Sequence, residues 1–272
     1  QMWENAATQR NMQQLQADGI TVLGPTSGTQ ACGENGMGRM LEAAEILEGI
    51  IAFFQKKVLA GKKVLITAGP TYEAIDPVRG ITNRSSGKMG FALAKAAADM
   101  GAAVTLVAGP VNLATPEGVR RINVESAQNM LDAVMENVDN KDIFIGCAAV
   151  ADYRVSDIAT SKIKKSAEEM QLALVRNPDI LATVASLANR PFMVGFAAET
   201  HDVETYARDK LKRKNLNMIA ANDVSVAGLG FNADANALRV FWPQGSQDLP
   251  ATDKLTLARQ LLSLIVKEKQ HK

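Results

Sequence analysis

Four small, polar and basic residues at the predicted start of one helix could bind phosphate. They are Ser85, Ser86, Gly87 and Lys88, and they follow an apolar strand and a polar loop within KVLITAGPTYEAIDPVRGITNRSSGKMGFALA, residues 63–94. A helix start carries N–H groups with no partner inside the helix and the positive end of the helix dipole, so it attracts anions. The pattern predicts a site for a nucleotide or a phosphorylated substrate.

Two common phosphate-binding motifs do not fit this loop. A Walker loop has four residues between its first glycine and the Gly-Lys pair, and Ser or Thr follows the lysine. Here six residues separate Gly80 from Gly87, and Met89 follows Lys88. The dinucleotide motif G-x-G-x-x-G, with a ribose-binding acid about 20 residues further on, is also absent after the strand. A nicotinamide cofactor is therefore disfavoured.

A second group of candidate residues lies in GCAAVADYRVSDIATSKIKK, residues 146–165. Small residues at a strand end let the backbone approach a base or ribose, and they are Gly146, Cys147 and Ala148. Asp152 could bind a metal ion or a hydroxyl group. The lysines at 162, 164 and 165 either bind a polyphosphate or form an ordinary solvated surface. Lys162 is the first candidate for stabilising charge on a pyrophosphate leaving group, although spacing does not separate it from Lys164.

Three further positions have both a structural and a chemical interpretation. In RNPDIL, Asn177 can cap a helix that has Pro178 at its first position and Asp179 in its first turn. Phe196 ends a strand and either stacks on a base or is buried. Asn83 either forms a turn or orients a carbonyl group through its amide.

Composition restricts the classes of protein. With 30 basic and 29 acidic residues the net charge is +1, so no overall field recruits nucleic acid or a membrane surface. Two cysteines in 272 residues exclude a disulfide framework, and two distant histidines give no support for a zinc site. No apolar run is long enough to span a bilayer, and the first residues do not resemble a secretory signal, so we expect a cytoplasmic protein.

Apolar runs alternate with helical patterns, which predicts an α/β fold: a doubly wound, mainly parallel, Rossmann-like sheet with helices on both faces. The predicted strands lie near 62–68, 103–108, 142–148, 191–196 and 217–221, and the predicted helices near 87–100, 126–138, 178–188 and 202–214. A last helix near 252–268 closes the sheet. Residues 228–250 suggest an edge strand or hairpin in which Trp242 belongs to the core or to a contact surface.

The first 58 residues predict fewer elements than a domain needs. They contain a helix to about residue 18, a short strand ITVLGP, a glycine-rich loop and a helix near 38–57. These pieces cannot bury a core of their own, which indicates a fragment of a larger unit.

Eight motifs, in order from about Lys62, resemble the bacterial phosphopantothenoylcysteine synthetase domain. They are ITAGPT, DPVRGITN, SSGKMG, GCAAVADYR, KIKK, NPDI, VGFAAET and ANDVS. The resemblance implies that residues 59–272 are a CTP-dependent phosphopantothenate–cysteine ligase domain of coenzyme A biosynthesis. Phosphopantothenate would react with CTP to give an acyl-cytidylate and pyrophosphate, and L-cysteine would then displace CMP.

The resemblance also implies roles for residues. Lys162 would act in forming the acyl-cytidylate and Asn83 in handling it, with Mg²⁺ assisting and Asp152 as a candidate metal ligand. The implied CTP site comprises Gly146, Cys147, Ala148, Asp152, Lys162, Pro178, Asp179, Ile180, Leu181, Phe196, Lys210 and Lys214. Gly80 stands where relatives carry a bulkier residue, and Arg84 has no assigned role. The family's domains pair as homodimers through a strand flap, for which residues 228–250 are our hypothesis.

Residues 1–58 resemble the end of the flavin-dependent decarboxylase to which this domain is usually fused. Cys32, in TQACGENGMGRM, matches the decarboxylase's proton-donating cysteine. Because the sequence lacks the flavin-binding body, we expect neither bound FMN nor decarboxylation, and Cys32 is interpreted as a remnant.

Two other functions stay open from the sequence. One is a nicotinamide-dependent oxidoreductase on a Rossmann-like sheet, and the other is a catalytically silent nucleotide-binding scaffold.

Overall fold

The computed structural model describes residues 2–30, 33–164, 170–199, 202–223 and 235–270. Its internal contacts divide the chain into two compact units, Gln1–Lys56 and Lys57–Lys272. Each unit is described by itself.

The first unit contains two helices and a β-hairpin. Its elements are α1 (Ala6–Ala17), β1 (Thr26–Thr29), β2 (Asn35–Arg39) and α2 (Ala43–Phe54). The strand predicted at ITVLGP is wrong: β1 begins after Pro25, and the glycine-rich segment predicted as a loop supplies the hairpin. β1 and β2 satisfy each other's backbone groups, a pairing that the apolar pattern of ITVLGP did not indicate.

The described part of the first unit has no buried side chain. In α2, Leu47 is 57% exposed, Phe53 55% and Phe54 76%. A helix this apolar ordinarily buries one face. The unit therefore has no core of its own among these residues, as the count of its elements predicted.

The second unit contains strands and helices in alternation. Its strands are β3 (Lys63–Ala68), β4 (Tyr72–Ala74), β5 (Gly80–Thr82), β6 (Ala103–Ala108), β7 (Val119–Asn123), β8 (Ile143–Gly146), β9 (Tyr153–Val155), β10 (Leu174–Arg176), β11 (Phe192–Glu199), β12 (Met218–Asp223), β13 (Ala235–Trp242) and β14 (Gly245–Asp253). Its helices are α3 (Lys88–Asp99), α4 (Ala127–Asn137), α5 (Ile180–Ala185), α6 (Val203–Arg213) and α7 (Lys254–Gln270).

An eight-stranded sheet in the order β14-β13-β12-β11-β8-β3-β6-β7 forms the centre of this unit. The six strands from β12 to β7 are parallel, whereas β13 and β14 are antiparallel additions at one side. The predicted doubly wound, mainly parallel sheet is thus confirmed. The chain runs outward from β3 to β6 and β7 in one direction, and from β8 to β11 and β12 in the other. Ligands in such sheets bind at the carboxyl ends of the strands where the order reverses, here β3 and β8.

Helices cover both faces of the sheet because successive strand residues point to opposite sides. Val64 and Ile66 of β3 share one buried cluster with side chains of α3 and α7. Leu65, between them, belongs to a second cluster with side chains of α4, α5 and α6. A strand buried on both faces needs the continuous apolar run that the sequence shows. No helix within the described ranges is long and apolar enough to cross a membrane.

The hairpin predicted within 228–250 is confirmed from residue 235 onward, and it belongs to the central sheet. β13 pairs with β12, and Leu238, Val240 and Phe241 are buried. Trp242 is partly buried against the core. Residues 224–234 lie outside the described residues, and the hypothesis that residues 228–250 form a dimer flap stays a prediction.

Candidate functional site

A cavity of about 230 Å³, here called the α3 cavity, opens at the start of α3. All four predicted phosphate-binding residues line it: Ser85, Ser86, Gly87 and Lys88. The cavity also reaches the ends of β8 and β11, since Cys147 and Ala198 belong to its wall together with Phe196. The structure therefore brings the helix start and the small residues after β8 to one place.

Two glycines fix the position of the α3 start. Gly87 caps the helix with φ 74°, a left-handed conformation that residues with a side chain rarely adopt. Gly90 packs on β3 so closely that an added Cβ would lie 2.4 Å from the Cβ of Ala68. The first turn of α3 is therefore held against the sheet next to the cavity.

Three buried polar residues that sequence reasoning did not select also line the α3 cavity. Asn222 is the second-last residue of β12, Asn236 lies on β13 and Lys254 begins α7; they are 9%, 4% and 7% exposed. The Oδ1 atom of Asn222 has no hydrogen-bond partner among the described residues. Buried polar atoms are nearly always satisfied, so this atom is suited to a ligand donor. The motif ANDVS contained the only signal for Asn222, whereas nothing local marks Asn236 or Lys254.

A second cavity of about 580 Å³, the α5 cavity, lies beside α5 and α6. Most of the implied CTP-binding residues line it: Gly146, Ala148, Asp152, Pro178, Asp179, Ile180, Leu181, Phe196, Lys210 and Lys214. Ala148, Phe196 and Lys210 line both cavities. The two cavities therefore adjoin along the ends of β8 and β11.

Two lysines of α6 and its end are oriented by hydrogen bonds within the α5 cavity. The Nζ atom of Lys210 donates to the carbonyl oxygen of Phe196 at 2.8 Å. The Nζ atom of Lys214 lies 2.9 Å from Oδ2 of Asp179. Partial burial alone would raise the pKa of Asp179, but the N–H of Ala182 and the ammonium of Lys214 outweigh it, and the pKa is lowered.

The capping of α5 differs from the prediction. Asp179, not Asn177, is the N-cap, and its Oδ1 accepts the N–H of Ala182 at 3.0 Å. The side-chain amide of Asn177 instead donates to the carbonyl oxygen of Ala151 at 2.8 Å. The backbone N–H of Asn177 donates to the carbonyl oxygen of Asp152 at 2.9 Å. Asn177 therefore fixes the loop after β8, and Asp179 caps a helix that begins at Ile180, two residues later than predicted.

The absence of a side chain at Gly146, the last residue of β8, makes room for Leu181 of α5. A Cβ added to Gly146 would lie 2.7 Å from Cδ2 of Leu181. A larger residue would therefore shift the Leu181 side chain, which lines the α5 cavity.

The two residues with implied catalytic roles line neither cavity. Asn83 is half-buried beside the α3 cavity, where its amide nitrogen donates to the carbonyl oxygen of Ala149 and its Oδ1 accepts the N–H of Ser85 at 3.0 Å. Both interpretations of Asn83 therefore stay compatible, because the turn uses only part of its hydrogen-bonding capacity. Lys162 is exposed on the loop before residue 164. Lys165 and Cys32 lie outside the described residues.

The thiol of Cys147 is unsuited to nucleophilic chemistry at neutral pH. Burial raises its pKa to about 12, despite the nearby charge of Lys254. The thiolate is the reactive form, so Cys147 serves as a small residue in the wall of the α3 cavity.

Among the described residues no group of three or more acidic, histidine or cysteine side chains is arranged for a metal ion. Asp152 lines the α5 cavity and is exposed, so its carboxylate faces solvent there. A single carboxylate together with substrate phosphates is a usual Mg²⁺ environment, which makes Asp152 compatible with a metal ion delivered by a nucleotide.

Two family models match the chain. The model "DNA/pantothenate metabolism flavoprotein C-terminal domain" matches residues 59–269, and the model "Flavoprotein" matches residues 1–55. The chain belongs to the DNA/pantothenate metabolism flavoprotein family through that C-terminal domain. The two matched ranges leave residues 56–58 between them, and the two structural units divide the chain between Lys56 and Lys57.

Two bacterial relatives of the chain share one name. The coenzyme A biosynthesis bifunctional protein CoaBC of Vibrio cholerae is 59% identical over 268 residues, covering 97% of this chain and 67% of that protein. The Escherichia coli protein of that name is 52% identical over 271 residues, covering 98% and 67%. The chain thus spans about two thirds of the length of the curated relatives it matches.

A solved structure supports the fold. The crystal structure of the C-terminal domain of coenzyme A biosynthesis bifunctional protein CoaBC has a TM-score of 0.69 and 42% identity, and it covers 80% of this chain and all of that one. A Cab2 mutant described as a complex with phosphopantothenate-cysteine has a TM-score of 0.65 at 17% identity, covering 85% and 95%. At that identity the Cab2 likeness concerns the fold alone.

Proposed function

We propose that this chain is a phosphopantothenate–cysteine ligase that uses CTP in coenzyme A biosynthesis. Family membership supports a ligase of this pathway. The observation that carries the proposal is the convergence of ten CTP-binding candidates on one cavity that adjoins a phosphate-binding helix start. Neither feature alone would distinguish a ligase from a nucleotide-binding scaffold.

The two cavities divide the substrates between them. CTP occupies the larger α5 cavity, with its base against Gly146 and residues 178–181 and its phosphates near Lys210 and Lys214. The phosphate of phosphopantothenate binds at the start of α3, where N–H groups and Lys88 favour an anion. The shared wall at Ala148 and Phe196 brings the carboxylate of phosphopantothenate towards the α-phosphate of CTP.

The reaction then proceeds in two substitutions. A carboxylate oxygen of phosphopantothenate attacks the α-phosphorus of CTP, and pyrophosphate leaves with the bonding electrons. The amine of cysteine attacks the acyl carbon, loses a proton and displaces CMP, which leaves an amide. Lys162 stabilises the charge that develops on pyrophosphate, and Asn83 orients the acyl-cytidylate.

Mg²⁺, when bound with CTP, neutralises part of the triphosphate charge. Asp152 would hold the ion from the side of the α5 cavity. Asp179 is less available for this role because Lys214 already pairs with it at 2.9 Å.

The exposed strands β9 and β10 suggest where a second copy binds. They pair only with each other among the described strands, and Tyr153, Leu174 and Val175 are each more than a third exposed. Val155 of β9 is buried against the rest of the unit, whereas these three apolar side chains remain in water, and a partner surface that covered them would stabilise the pair. We assign the homodimer contact of the ligase domain, residues 59–272, to the two-stranded sheet of β9 and β10.

Residues 1–58 are assigned to the decarboxylase end of the relatives and take no part in the ligase chemistry. Neither FMN binding nor decarboxylation is proposed for this chain.

Pyrophosphate release from CTP tests the proposal. Phosphopantothenate, CTP and Mg²⁺ are mixed with and without cysteine, and wild type is compared with Lys162→Gln and Asn83→Asp. We expect release that increases with cysteine, loss of release in Lys162→Gln, and an accumulating acyl-cytidylate in Asn83→Asp. No release in wild type, together with binding of NAD and not CTP in ligand-observed NMR, would favour the oxidoreductase instead.

A further inference from the structure

One buried carboxylate joins the two loops that carry Asn83 and Lys162. Asp76 lies between β4 and β5 and is 1% exposed. Its Oδ1 atom accepts the N–H groups of Val78 and Arg79, both at 2.9 Å, which closes a local turn. Its Oδ2 atom accepts the guanidinium of Arg79 and, 87 residues further along the chain, the N–H of Ile163 at 3.1 Å.

Arg79 completes the attachment at the carbonyl group of the same residue. Its Nη2 atom donates to the carbonyl oxygen of Ile163 at 2.9 Å, so one ion pair binds both backbone groups of a single residue. The N–H of Ala159 also donates to the carbonyl oxygen of Ile75 at 3.0 Å. The segment 159–163 is thereby fastened to the β4–β5 hairpin by three hydrogen bonds.

Lys162 directly precedes the fastened residue. Its side chain is exposed, and within the described ranges it makes no ion pair. The backbone attachment of Ile163 is therefore what determines where the flexible side chain of Lys162 starts.

The same hairpin leads into Asn83. Thr82, the last residue of β5, donates through its hydroxyl to the carbonyl oxygen of Thr71 at 2.7 Å, and Asn83 then reaches the loop after β8. The contacts of Asp76 thus set the relative position of the Asn83 loop and the Lys162 loop.

We propose that Asp76 is a positioning residue for formation of the acyl-cytidylate, acting by holding Ile163 and with it the backbone of Lys162. This inference rests on the proposed function and on the role given there to Lys162. Asp76 touches no substrate and takes up no proton. The Arg79 guanidinium beside it holds the pKa of Asp76 far below its ordinary value of 3.8, so the attachment is complete throughout the neutral pH range.

Two substitutions separate the long-range contact from the local turn. Asp76→Asn keeps Oδ1 for the turn but replaces Oδ2 with an amide nitrogen, which cannot accept the N–H of Ile163. Asp76→Ser keeps one acceptor for the turn and does not reach Ile163. Asp99→Asn is the matched control, because Asp99 also pairs with two cations, Lys95 at 3.1 Å and Arg259 at 3.6 Å, but belongs to neither loop.

The readout is single-turnover pyrophosphate release without cysteine, measured beside CTP affinity and the melting temperature. A small displacement of a catalytic group can cost about 100-fold in rate, so we expect the Asp76 variants to lose about 10- to 100-fold. We expect their CTP affinity to stay within about threefold, because the α5 cavity is untouched. Asp99→Asn should release pyrophosphate at the wild-type rate.

A double-mutant cycle distinguishes positioning from a general structural effect. If Asp76 acts through Lys162, then Asp76→Asn combined with Lys162→Gln is no slower than Lys162→Gln alone, whereas independent effects would multiply. Multiplying effects, or a rate loss that only follows the loss of folded protein in both Asp76 variants, would overturn the proposal.

The outcome for Lys162→Gln distinguishes a wrong role for Lys162 from a wrong role for Asp76. If that variant keeps the wild-type rate, the role of Lys162 in the proposed function is wrong, and the inference about Asp76 is overturned with it. If Lys162→Gln is slow while folded Asp76→Asn is as fast as wild type, only the inference about Asp76 is wrong.

Discussion

Replacing Gly90 with alanine sets two opposite effects against each other in α3. Within a helix, Ala is more favourable than Gly by about 1 kcal/mol, so helix propensity alone predicts stabilisation. The added Cβ, however, would lie 2.4 Å from the Cβ and 3.1 Å from the Cα of Ala68. Inserting an extra carbon into a well-packed core costs about 1–3 kcal/mol.

We expect overpacking to dominate, because Ala68 has no flexible side chain that could move aside and its backbone belongs to the centre of the sheet. A contact of 2.4 Å belongs at the upper end of this cost range, about 2–3 kcal/mol, so the net loss after the gain in propensity would be about 1–2 kcal/mol. For a unit of this size, that loss lowers the melting temperature by about 2–8 °C. Because relief of the clash requires the start of α3 to move, the KM for phosphopantothenate should rise more than kcat falls. Thermal unfolding and steady-state kinetics measure both effects.

A compensating substitution checks the cause. Ala68→Gly removes the Cβ that Gly90→Ala would meet, so the double variant should be more stable than the sum of the two single changes predicts, by about 1 kcal/mol or more. Gly36→Ala is the control, since its added Cβ would meet only the end of the Gln30 side chain at 3.6 Å. A melting temperature for Gly90→Ala equal to or above that of wild type would refute the reasoning.

Three further predictions follow from the cavities. Asn222→Leu removes a buried oxygen that has no partner among the described residues, so the free energy of unfolding should be unchanged or higher by about 1 kcal/mol. The KM for phosphopantothenate should rise about tenfold. A fall in stability with an unchanged KM would contradict this prediction. Lys214→Met should weaken CTP binding about 10- to 100-fold in calorimetry, because charged hydrogen bonds contribute about 1.5–3 kcal/mol, whereas Lys212→Met is the exposed control. In a Cys32→Ala background, Cys147 should react with a maleimide at pH 8 about 1000-fold more slowly than an ordinary thiol, because its pKa is raised from 9.0 to about 12. The contribution of this neutral thiol to the free energy of unfolding is complete below pH 9 and is lost as the pH rises towards 12. Rapid labelling of the folded protein would contradict the prediction, because it would show the thiol to be accessible and ionised.

The central sheet was predictable because its strands are buried on both faces. A run such as residues 64–66 is then apolar throughout, which is the clearest signal that a sequence gives for a parallel strand. Gly146, Ala148 and Asp152 of the α5 cavity could be predicted for a related reason, since they lie at or after the end of β8 and strand ends of a parallel sheet meet at one edge. Other residues of this cavity, 178–181, Lys210 and Lys214, were implied by the family resemblance and not by their position along the chain. For the residues at and after the end of β8, proximity in the fold could be inferred from position along the chain.

Other residues were missed because nothing near them in sequence indicates their surroundings. Asn236 and Lys254 reach the α3 cavity only through the antiparallel strands β13 and β14, whose place in the sheet is a tertiary property. Asn177 and Asp179 both suit a helix cap, and the choice between them depends on the contact of Asn177 with the loop after β8. The β1–β2 hairpin has glycines where strands usually have apolar residues, so periodicity could not identify it.

The pairing of α3 with α7 has a consequence for how the site is made. Leu257 and Leu261 of α7 share one buried cluster with Phe91 and Leu93 of α3, although 154 residues, from 100 to 253, separate the two helices. During synthesis α3 leaves the ribosome long before α7 exists, so the face of α3 that packs on α7 stays uncovered until α7 has been translated. Contacts this distant in sequence form late and slow folding. The anion-binding start of α3 would therefore be among the last parts of the molecule to become rigid, and a nascent chain would acquire its ligand site only after α7 had been translated.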